Sequence, residues 1–377
     1  MNERSRFDLI ITGCGIAGAS LAYFLSELGM TDILILEKEE MPGYHATGRA
    51  ASVLAEFDFV PSTLQLKILG AQFLRNPPNG FSEHPLLYET GILIAMQGQL
   101  WQEALQLAPD LQKKGVVFDL LTPDQAVSIV PALRREDLDG AVRLSRDGHL
   151  DVHELLWSYL RHARKKGAVL RCREEVRDLI VEKGVCRGVI TDSGRYESRW
   201  VVDAAGAWAK RVRGLAGPSP VELTPFRRTV ISFAAPTAVD VAAWPFTVNL
   251  THEFYFAPES AGMFASPMDQ DPHEPCDARP DEWLVAQTVD RLKQFAPVLT
   301  PKSIMRKWAG LRTFSPDHEM VVGEDPNLKG FFWLAGQGGA GIETSPAVGR
   351  MAAELIVKGK SEIMEGLWLS PERFVHP

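Results

Sequence analysis

The stretch Phe7-Asp8-Leu9-Ile10-Ile11-Thr12-Gly13-Cys14-Gly15-Ile16-Ala17-Gly18 decides the fold of this 377-residue chain. An apolar strand leads into three glycines at the spacing Gly-x-Gly-x-x-Gly, and an apolar helix follows. Gly13 permits the tight turn, Gly15 lets the backbone approach a pyrophosphate, and Gly18 lets the helix pack close to the sheet. The free N–H groups and the dipole of such a helix start favour phosphate. The segment therefore predicts a dinucleotide site.

The second strand, Ile33-Leu34-Ile35-Leu36-Glu37, ends in an acid. A carboxylate at this place accepts hydrogen bonds from both ribose hydroxyls and repels a 2′-phosphate, so the nucleotide should be FAD or NAD and not NADP. The alternative explanation of the glycine motif is a strand turn that contains glycines but binds no ligand. The order of strand, helix, second strand and acid argues against this explanation.

Length and composition indicate a globular protein of two domains. A chain of 377 residues exceeds the size at which a single core keeps growing. Its hydrophobic fraction of 45% and charged fraction of 23% are ordinary for such proteins. The net charge of −8 argues against nucleic acid as a partner, because a phosphate backbone is bound by clustered Lys and Arg.

The cysteines and the hydropathy pattern indicate the compartment. Cys14, Cys172, Cys186 and Cys276 lack the spacing of metal ligands, so we expect no metal site, and scattered cysteines suit a reducing compartment. No apolar run approaches the ~18 residues that span a bilayer, and the first strand begins within about seven residues of the N-terminus. We therefore expect a cytoplasmic protein without a transmembrane segment.

Two further patterns follow the nucleotide motif. Between residues 168 and 208, short strands lead to a segment that ends in the small residues Ala204-Ala205-Gly206-Ala207. From residue 227 to 267 longer strands follow one another without an intervening helix, which indicates an antiparallel sheet. A helix is predicted over residues 281–295.

The end of the chain repeats the first pattern. Phe331-Phe332-Trp333-Leu334-Ala335 is a buried strand, Gly336-Gln337-Gly338-Gly339-Ala340-Gly341 is a second glycine turn, and Ser345-Pro346 predicts a helix start. A strand–turn–helix unit without a ligand is one explanation. An NAD dehydrogenase has no need of a second ligand-approach turn, whereas a flavoprotein does, because its isoalloxazine lies beyond the pyrophosphate. The helix would then stabilise the charge that builds on the pyrimidine ring during reduction.

These segments together resemble the FAD-dependent D-amino-acid oxidase and dehydrogenase superfamily, and within it most the D-arginine dehydrogenase type. The resemblance spans nearly the whole chain. It rests on residues 13–18, 42–49, 76–78, 202–208, 308–312 and 336–339.

The resemblance implies an α/β fold with an α+β second domain. A Rossmann-like FAD-binding domain would comprise residues 1–85, 148–220 and 305–377. A substrate-binding domain, built on a mixed, largely antiparallel sheet that covers the flavin, would comprise residues 86–147 and 221–304. FAD would be held non-covalently, because Cys14 is the only cysteine near the segments expected to contact the flavin.

The resemblance also implies the cofactor contacts. Glu37 would bind the adenosine ribose, Val176 would meet adenine through its backbone, and Ala205 and Gly206 would pass near the pyrophosphate. The second glycine turn would face the pyrimidine end. The expected set is Gly13, Gly15, Ile16, Ala17, Gly18, Glu37, Lys38, His45, Thr47, Gly48, Arg49, Ala50, Ala51, Ser52, Val176, Ala205, Gly206, Trp208, Gly310, Arg312, Gly338, Gly339, Ala340, Gly341, Ile342 and Thr344.

By the same resemblance, Arg228 and Arg312 match two arginines that hold the substrate carboxylate, and Tyr255 matches a tyrosine beside it. Two guanidinium groups fix a carboxylate in one orientation, and arginine keeps its charge. Arg228 could instead form a salt bridge at the sheet edge, and Arg227 is then the second candidate for binding the carboxylate. A buried Arg312 without an anion would cost several kcal/mol, so we expect a ligand or an acidic neighbour. His45 is a fourth candidate, as a base or as a group packed near the flavin.

The chain departs from the D-arginine dehydrogenase type at two positions. Asp58 and Ile92 stand where that type has a lid tyrosine and a carboxylate for a basic side chain. The site near Ile92 should therefore be apolar. Hydrophobic D-amino acids, or an unusual amine made in a biosynthetic pathway, then fit the site at least as well as arginine.

The expected function is oxidation of an α-amino acid of D configuration by hydride transfer from Cα to flavin N5. Water would hydrolyse the imino acid to a 2-oxo acid, and oxygen or a quinone would reoxidise the flavin. A 2-hydroxy acid or a secondary amine also fits the carboxylate clamp. A different class, an NAD-dependent dehydrogenase or a flavin-binding protein without activity, stays open. The second glycine turn argues against the former, and the two arginines argue against the latter.

Overall fold

The computed structural model describes residues 5–237, 239–259 and 262–375. Within them the helices are α1 (Ile16–Glu27), α2 (Pro61–Arg75), α3 (Gln99–Lys113), α4 (Pro123–Ile129), α5 (Val152–Lys165), α6 (Ala209–Gly214), α7 (Glu282–Phe295) and α8 (Gly341–Lys358). The strands are β1 (Arg6–Thr12), β2 (Ile33–Glu37), β3 (Val53–Leu54), β4 (Leu87–Tyr88), β5 (Ile92–Met96), β6 (Asp119–Leu121), β7 (Gly140–Leu144), β8 (Gly148–Leu150), β9 (Val169–Cys172), β10 (Val176–Glu182), β11 (Val185–Thr191), β12 (Gly194–Asp203), β13 (Thr224–Phe233), β14 (Phe246–Asn249), β15 (Phe254–Glu259), β16 (Gly262–Ser266), β17 (Asp271–Pro272), β18 (Ile304–Phe314), β19 (Val321–Glu324) and β20 (Phe331–Ala335).

An eight-stranded sheet carries the nucleotide motif. Its parallel strands run in the order β9, β2, β1, β12, β20. β19 pairs antiparallel with β20, and β10 and β11 extend the sheet from β12. Parallel strands bring their carboxyl ends to one edge, so the turns after β1, β12 and β20 lie side by side.

Both faces of this sheet are covered. Leu9 and Ile11 of β1 belong to a core with α1, α2, α5 and α8. Ile10, between them, points to the opposite face and packs in a cluster that includes Leu179 and Val189. This alternation is the period-2 pattern of a strand buried on both sides, and it explains the nearly continuous apolar run in the sequence.

A nine-stranded sheet forms the second domain. Its strands follow one another in the order β18, β13, β16, β15, β14, β5, β7 and β6. The short β17 also pairs with β13. Only β14 and β5 pair in parallel, and the other neighbours are antiparallel. Ile231, Phe254 and Phe256 lie on its outer face, in a core with Val285 and Leu292 of α7. The predicted fold class, α/β with a mixed, largely antiparallel second sheet, is confirmed.

Local signals set several helix ends. The Thr122 side chain accepts from the Gln125 N–H and closes a capping box at α4, and Asp151 accepts from the Glu154 N–H at the start of α5. No helix within residues 5–237, 239–259 and 262–375 is long and apolar enough to cross a membrane.

Two sequence expectations differ from the structure. α8 begins at Gly341 and not at Ser345, so Pro346 stands inside the helix. β18 pairs along β13 from Thr224 to Phe233, so residues 304–314 belong to the nine-stranded sheet although the predicted boundary at 305 placed them in the nucleotide domain. The long antiparallel pairing with β13 places β18 in the second domain, although the segments that follow it in the chain belong to the nucleotide domain.

Candidate active site

A cavity of about 640 Å³ lies between the two sheets. Its wall is formed by the turns after β1, β12 and β20, by residues 43–53 and by the nine-stranded sheet. The sequence-predicted residues that line it are Gly13, Gly15, Ile16, Ala17, Glu37, Lys38, His45, Thr47, Arg49, Ala50, Ala51, Val176, Ala205, Gly206, Trp208, Arg228, Tyr255, Gly310, Arg312, Gly338, Gly339, Gly341 and Ile342. Segments that lie some 300 residues apart in the chain thus share one wall.

Glu37 lines the cavity beside the glycine turn after β1, the end where the sequence predicts the nucleotide and which we call the nucleotide end. Its carboxylate accepts from the Cys14 N–H at 2.9 Å and from the Glu39 N–H at 3.0 Å, one to each oxygen. Burial raises the pKa of Glu37, and the two N–H groups act against this rise. Each carboxylate oxygen has a second acceptor position, so the oriented group can still accept from two hydroxyls.

The start of α1 suits an anion. Gly15 precedes the helix without a side-chain cap, and the first turn carries no acidic residue. The Ile16 N–H donates to the Thr47 hydroxyl at 3.0 Å, which fixes residues 43–53 against the helix start. A Cβ on Gly18 would overlap the carbonyl oxygen of Gly13, so this glycine is needed for close packing and not for contact with a ligand.

The start of α8 faces the same cavity from the other end. Ala340 precedes the helix without a side-chain cap. Gly338, Gly339 and Gly341 line the cavity, whereas Glu343 in the first turn is turned away and pairs with Lys67. The earlier start of α8 places its first N–H groups at the glycine turn itself.

Arg228 and Arg312 point into the cavity from one side of the nine-stranded sheet. Arg228 pairs in register with Gly310, and Phe226 pairs with Arg312, so alternate residues of β13 and β18 share this side. Tyr255 is opposite Val248 and Ser266 on the same side. We call the cavity-facing side of these strands the inner face.

Arg312 lacks an anionic partner. Its guanidinium donates to the Gln270 side-chain oxygen at 3.3 Å, and its buried Nε has no hydrogen-bond partner. No carboxylate of the described residues forms an ion pair with it. Burial, and next the positive charge of Arg228, lower the pKa of Arg312 to about 9. An anion between the two guanidinium groups would remove this unfavourable arrangement.

Arg312 also lies against the second glycine turn. A Cβ on Gly339 would stand 2.8 Å from a terminal nitrogen of Arg312, closer than such atoms approach. The absence of a side chain at Gly339 therefore lets the guanidinium rest on the turn. The cation and the glycine turn form one continuous part of the wall.

Arg228 is held by the segment after β16. Its Nε donates to the Asp269 carbonyl at 2.9 Å, while the Asp269 carboxylate accepts from the N–H and the hydroxyl of Thr229 at 2.7 and 3.0 Å. Burial lowers the pKa of Arg228, and Tyr255 and Asp269 act in the opposite direction. Arg227, the alternative from the sequence, does not line the cavity and faces Asp271 and Asp281 at 3.6 and 3.5 Å.

His45 lies toward the nucleotide end. Its Nε2 is 2.7 Å from the Glu39 carboxylate, and its ring centroid is 4.5 Å from that of Trp208. Burial lowers the pKa of His45. Its described contacts include none with Arg228, Tyr255 or Arg312, so the arrangement does not bring His45 to the two arginines.

Arg49 joins the loops around the cavity. Its guanidinium donates to the carbonyls of Ala278 and Ala309 at 3.0 and 3.1 Å and pairs with Asp277. The Trp308 indole donates to the Arg49 carbonyl at 3.2 Å. Arg49 therefore connects residues 43–53 to β18 while its side chain borders the cavity.

Five expected cofactor residues do not line the cavity: Gly18, Gly48, Ser52, Ala340 and Thr344. Gly48 allows close contact with the carbonyl of Gly43, and the Thr344 hydroxyl donates to the Ala340 carbonyl at 2.8 Å. These residues shape the turns that do line it.

Several cavity residues had no sequence signal. Cys276 lines the cavity, so the expectation that Cys14 alone of the cysteines lies near the cofactor segments is wrong; Cys14 itself is fully buried. Val230, Phe246, Val248 and Met268 also line it. Val230 could have been predicted, because alternate residues of a strand face the same side and Val230 is two residues after Arg228. The positions of Phe246, Val248 and Met268 depend on the order of the strands in the sheet, which could not be predicted from the sequence.

The cavity is lined by the uncapped start of α1, by Glu37 and by a second glycine turn beside Arg228 and Arg312, an arrangement that suits a flavin-dependent oxidoreductase. The chain belongs to the DAO family of FAD-dependent oxidoreductases, whose family model matches residues 8–355. FAD is the cofactor of this family, and the glycine-lined cavity and Glu37 fit it.

Individual relatives are similar to this chain over nearly its whole length. The mouse (Mus musculus) mitochondrial pyruvate dehydrogenase phosphatase regulatory subunit is 25% identical over 97% of this chain, which spans 43% of that protein. L-proline dehydrogenase from P. horikoshii is 23% identical, with a TM-score of 0.87 and 98% of each chain covered. Glycine oxidase from Bacillus cereus is 27% identical, with a TM-score of 0.78, 95% of this chain and 97% of that chain covered.

Proposed function

We propose that the protein oxidises an α-amino acid, or a related amine that carries a carboxylate, with Arg228 and Arg312 as the carboxylate site. The observation that supports this most is the unpaired Arg312 beside Arg228. Two enclosed cations that share at most the one carboxylate of Asp269, which lies 4.0 Å from Arg228, are unfavourable in the free protein and complementary to a bound carboxylate. The activities named for glycine oxidase and L-proline dehydrogenase, which both act on amino acids, agree with this proposal.

When bound, FAD supplies a two-electron acceptor. The contribution of this chain is to orient the substrate. Arg228, fixed by Asp269, and Arg312, resting on Gly339, hold the carboxylate from two directions. A carboxylate fixed in this way can present its α-carbon to the glycine turn in only a few orientations.

Among the described residues, the part of the nine-stranded sheet that lines the cavity carries neither a carboxylate nor an imidazole. Tyr255 is the only other titratable side chain that the nine-stranded sheet contributes to the described cavity wall. The substrate amine must therefore arrive without its extra proton. We accordingly assign His45 to the nucleotide end and not to proton transfer.

Some finer points stay predictions. The D configuration, reoxidation by oxygen or a quinone, and the cytoplasmic location rest on the sequence. The resemblance to the D-arginine dehydrogenase type is also a prediction, and the mainly apolar inner face disfavours arginine as the substrate. A secondary amine is the second candidate, because proline, named for the P. horikoshii enzyme, is one.

A flavin-binding protein without activity is the alternative from a different class of protein. One relative is named as a regulatory subunit, which agrees with this alternative. Anaerobic mixing of the FAD-loaded protein with D- and L-amino acids, N-methyl amino acids and 2-hydroxy acids separates these possibilities. We expect flavin bleaching with amino acids and release of a 2-oxo acid. Bleaching by hydroxy acids alone, or by no compound, would refute the proposal.

A further inference from the structure

Beyond the two arginines, the residues that line the cavity are apolar. Val230, Phe246, Val248 and Met268 line the cavity there, and Val53 lines it from the side of residues 43–53. Among the described residues that the nine-stranded sheet contributes to the cavity, Arg228 and Arg312 are the only charged ones. The wall therefore has a cationic end and an apolar end.

The apolar end begins directly beside Tyr255. Val248 is the register partner of Tyr255 on the neighbouring strand, and the Phe246 ring centroid lies 5.1 Å from that of Tyr255. Tyr255 interacts with the Arg228 side chain through a hydrogen bond, so a molecule held at Arg228 lies beside Tyr255. Val248 is one strand further, at the usual strand spacing of about 4.8 Å. The side chain of an α-amino acid is of this length.

Met268 is positioned together with the arginines. Its φ of 53° is in the left-handed region, which a residue with a side chain rarely adopts, and its N–H donates to the Ser266 hydroxyl at 3.2 Å. Asp269, the next residue, holds Arg228. Strained backbone of this kind persists where the surroundings fix it, and here it directs Met268 to the cavity beside the carboxylate site.

A substrate with a charged side chain would find no oppositely charged partner among the described residues at this end. Ile92 and Ile94 of β5 are the register partners of Phe246 and Val248, so they continue the apolar surface on the same side of the sheet. A basic group would be desolvated there with no acid to pair with, and an acidic group would be desolvated as well. An apolar group would instead gain from burial against Phe246, Val248 and Met268.

We infer that Phe246, Val248 and Met268 form the side-chain subsite, and that the substrate carries a branched aliphatic or aromatic side chain. This inference rests on the proposed function, because it takes the carboxylate to lie at Arg228 and Arg312. It specifies the class of amino acid that the site selects.

The binding of simple carboxylates tests the subsite without turnover. The FAD-loaded protein is titrated with acetate, 4-methylpentanoate, glutarate and 6-aminohexanoate, and the dissociation constants are read from the flavin spectrum and by calorimetry. Each additional buried methylene should tighten binding about fourfold, so 4-methylpentanoate should bind about 60-fold more tightly than acetate if three carbons are buried. Glutarate and 6-aminohexanoate should bind no more tightly than acetate.

The outcomes separate the two proposals. If acetate, glutarate and 4-methylpentanoate bind alike, the subsite is refuted while the carboxylate site stands. If none of them binds, the carboxylate site is refuted, and the subsite fails with it.

A pair of isosteric variants gives an independent test. Val248→Asp adds a carboxylate beside Tyr255, whereas Val248→Asn has nearly the same shape without the charge. Both should weaken 4-methylpentanoate about tenfold or more, and only Val248→Asp should tighten 6-aminohexanoate, by about tenfold. Normal FAD content in both variants confirms that they fold. Unchanged affinities in Val248→Asp would refute the placement of Val248.

Discussion

Arg312 and Arg213 are two enclosed arginines with opposite surroundings. Arg213 donates to the Asp325 carboxylate at 2.7 Å, and both side chains are almost completely buried. Among the described residues, Arg312 donates a hydrogen bond to the Gln270 amide oxygen at 3.3 Å and lies over the Phe314 ring, and it has no carboxylate partner. A buried charge pair loses stability when one member is removed, because the other is left uncompensated, whereas the loss of a lone cation leaves nothing unpaired.

Replacement of each arginine by methionine should therefore have opposite results. Arg213→Met should lower the free energy of unfolding by about 3–5 kcal/mol. Arg312→Met should leave it unchanged or raise it, and should weaken carboxylate binding at least about 30-fold. Urea unfolding and carboxylate titration of the two variants measure these effects. Strong destabilisation by Arg312→Met, with carboxylate binding intact, would contradict the assignment.

Single residues were predictable where their type and context sufficed. Arg312 follows Trp-Ala-Gly-Leu, and an arginine in that setting indicates an anion. Asp269 and Met268 gave no such signal, because their role depends on the chain returning to β13 after β16. The competition between Arg227 and Arg228 was also beyond the sequence, since strand alternation shows that the two point apart but not which one faces the cavity.

At the scale of elements, the contact of α2 with α8 depends on one glycine. A Cβ on Gly70 would overlap the carbonyl oxygen of Glu343 in the first turn of α8. The helix that starts at the cavity is therefore held by a backbone-to-backbone approach. Lys67, one turn earlier on α2, also donates to the Glu343 carboxylate at 3.2 Å.

Gly70→Ala should displace α8 from α2, because the added Cβ would overlap the Glu343 carbonyl oxygen. We expect the free energy of unfolding to fall by about 1–3 kcal/mol, the usual cost of forcing volume into a packed interface, and FAD affinity to fall with it. Gly214→Ala in α6 is the matched control, because a Cβ there meets no atom within 4 Å. Its stability should stay within about 0.5 kcal/mol of the parent. Equal stability of the two variants would refute this view of the contact.

A buried acidic pair joins α2 to the turn between β7 and β8. Arg75 pairs with Glu56 and Asp147, and the Glu56 N–H donates to the Asp147 carboxylate at 2.6 Å. Burial, with a contribution from the charge of Glu56, raises the pKa of Asp147 to about 8. The folded protein then binds more protons than the unfolded chain between about pH 4 and pH 8, so stability falls as pH rises through this range.

Asp147→Asn should remove this pH dependence. The difference in the free energy of unfolding between parent and variant should change with pH by up to about 1.4 kcal/mol per unit, in the direction that favours the variant at pH 8. Urea unfolding at several pH values measures it, with the exposed Asp119→Asn as the control. Parallel pH profiles for the parent and Asp147→Asn would contradict the raised pKa.

Elements were predictable where caps and periodicity agreed. The helix predicted over residues 281–295 is α7, and the Asp281 side chain caps it by accepting from the Trp283 N–H. For α8 the same logic failed, because Ser345-Pro346 has the composition of a helix start but lies in an established helix. The glycines before it allowed the helix to begin without a capping side chain.

At the scale of the molecule, the cavity wall is shared by both sheets, so FAD should stabilise the assembly of the two domains. A ligand that binds only the folded state adds about 4 kcal/mol at a free concentration of a thousand times its dissociation constant. We expect the melting temperature of the apoprotein to rise with added FAD, and ADP, which can fill only the nucleotide end, to give part of the rise. A melting temperature independent of FAD would contradict this expectation.

The order of the strands in the second sheet was the least predictable feature. The segments of β13 to β16 were recognisable from composition, and so was their antiparallel character. The pairing of β18 with β13, and of β14 with β5, joins parts of the chain far apart in sequence. Arg228 and Arg312 meet through the first of these pairings, so only the family resemblance could bring them together in advance.

The central claim is that the guanidinium groups of Arg228 and Arg312, beside the glycine turn, hold a substrate carboxylate. A crystal structure of the FAD-loaded protein with a bound, non-oxidisable carboxylate such as 4-methylpentanoate tests it most directly. We expect its oxygens within about 2.7–3.2 Å of nitrogens of both Arg228 and Arg312, beside Gly339. A carboxylate bound elsewhere, or Arg312 paired with an acid of the protein itself, would contradict the claim.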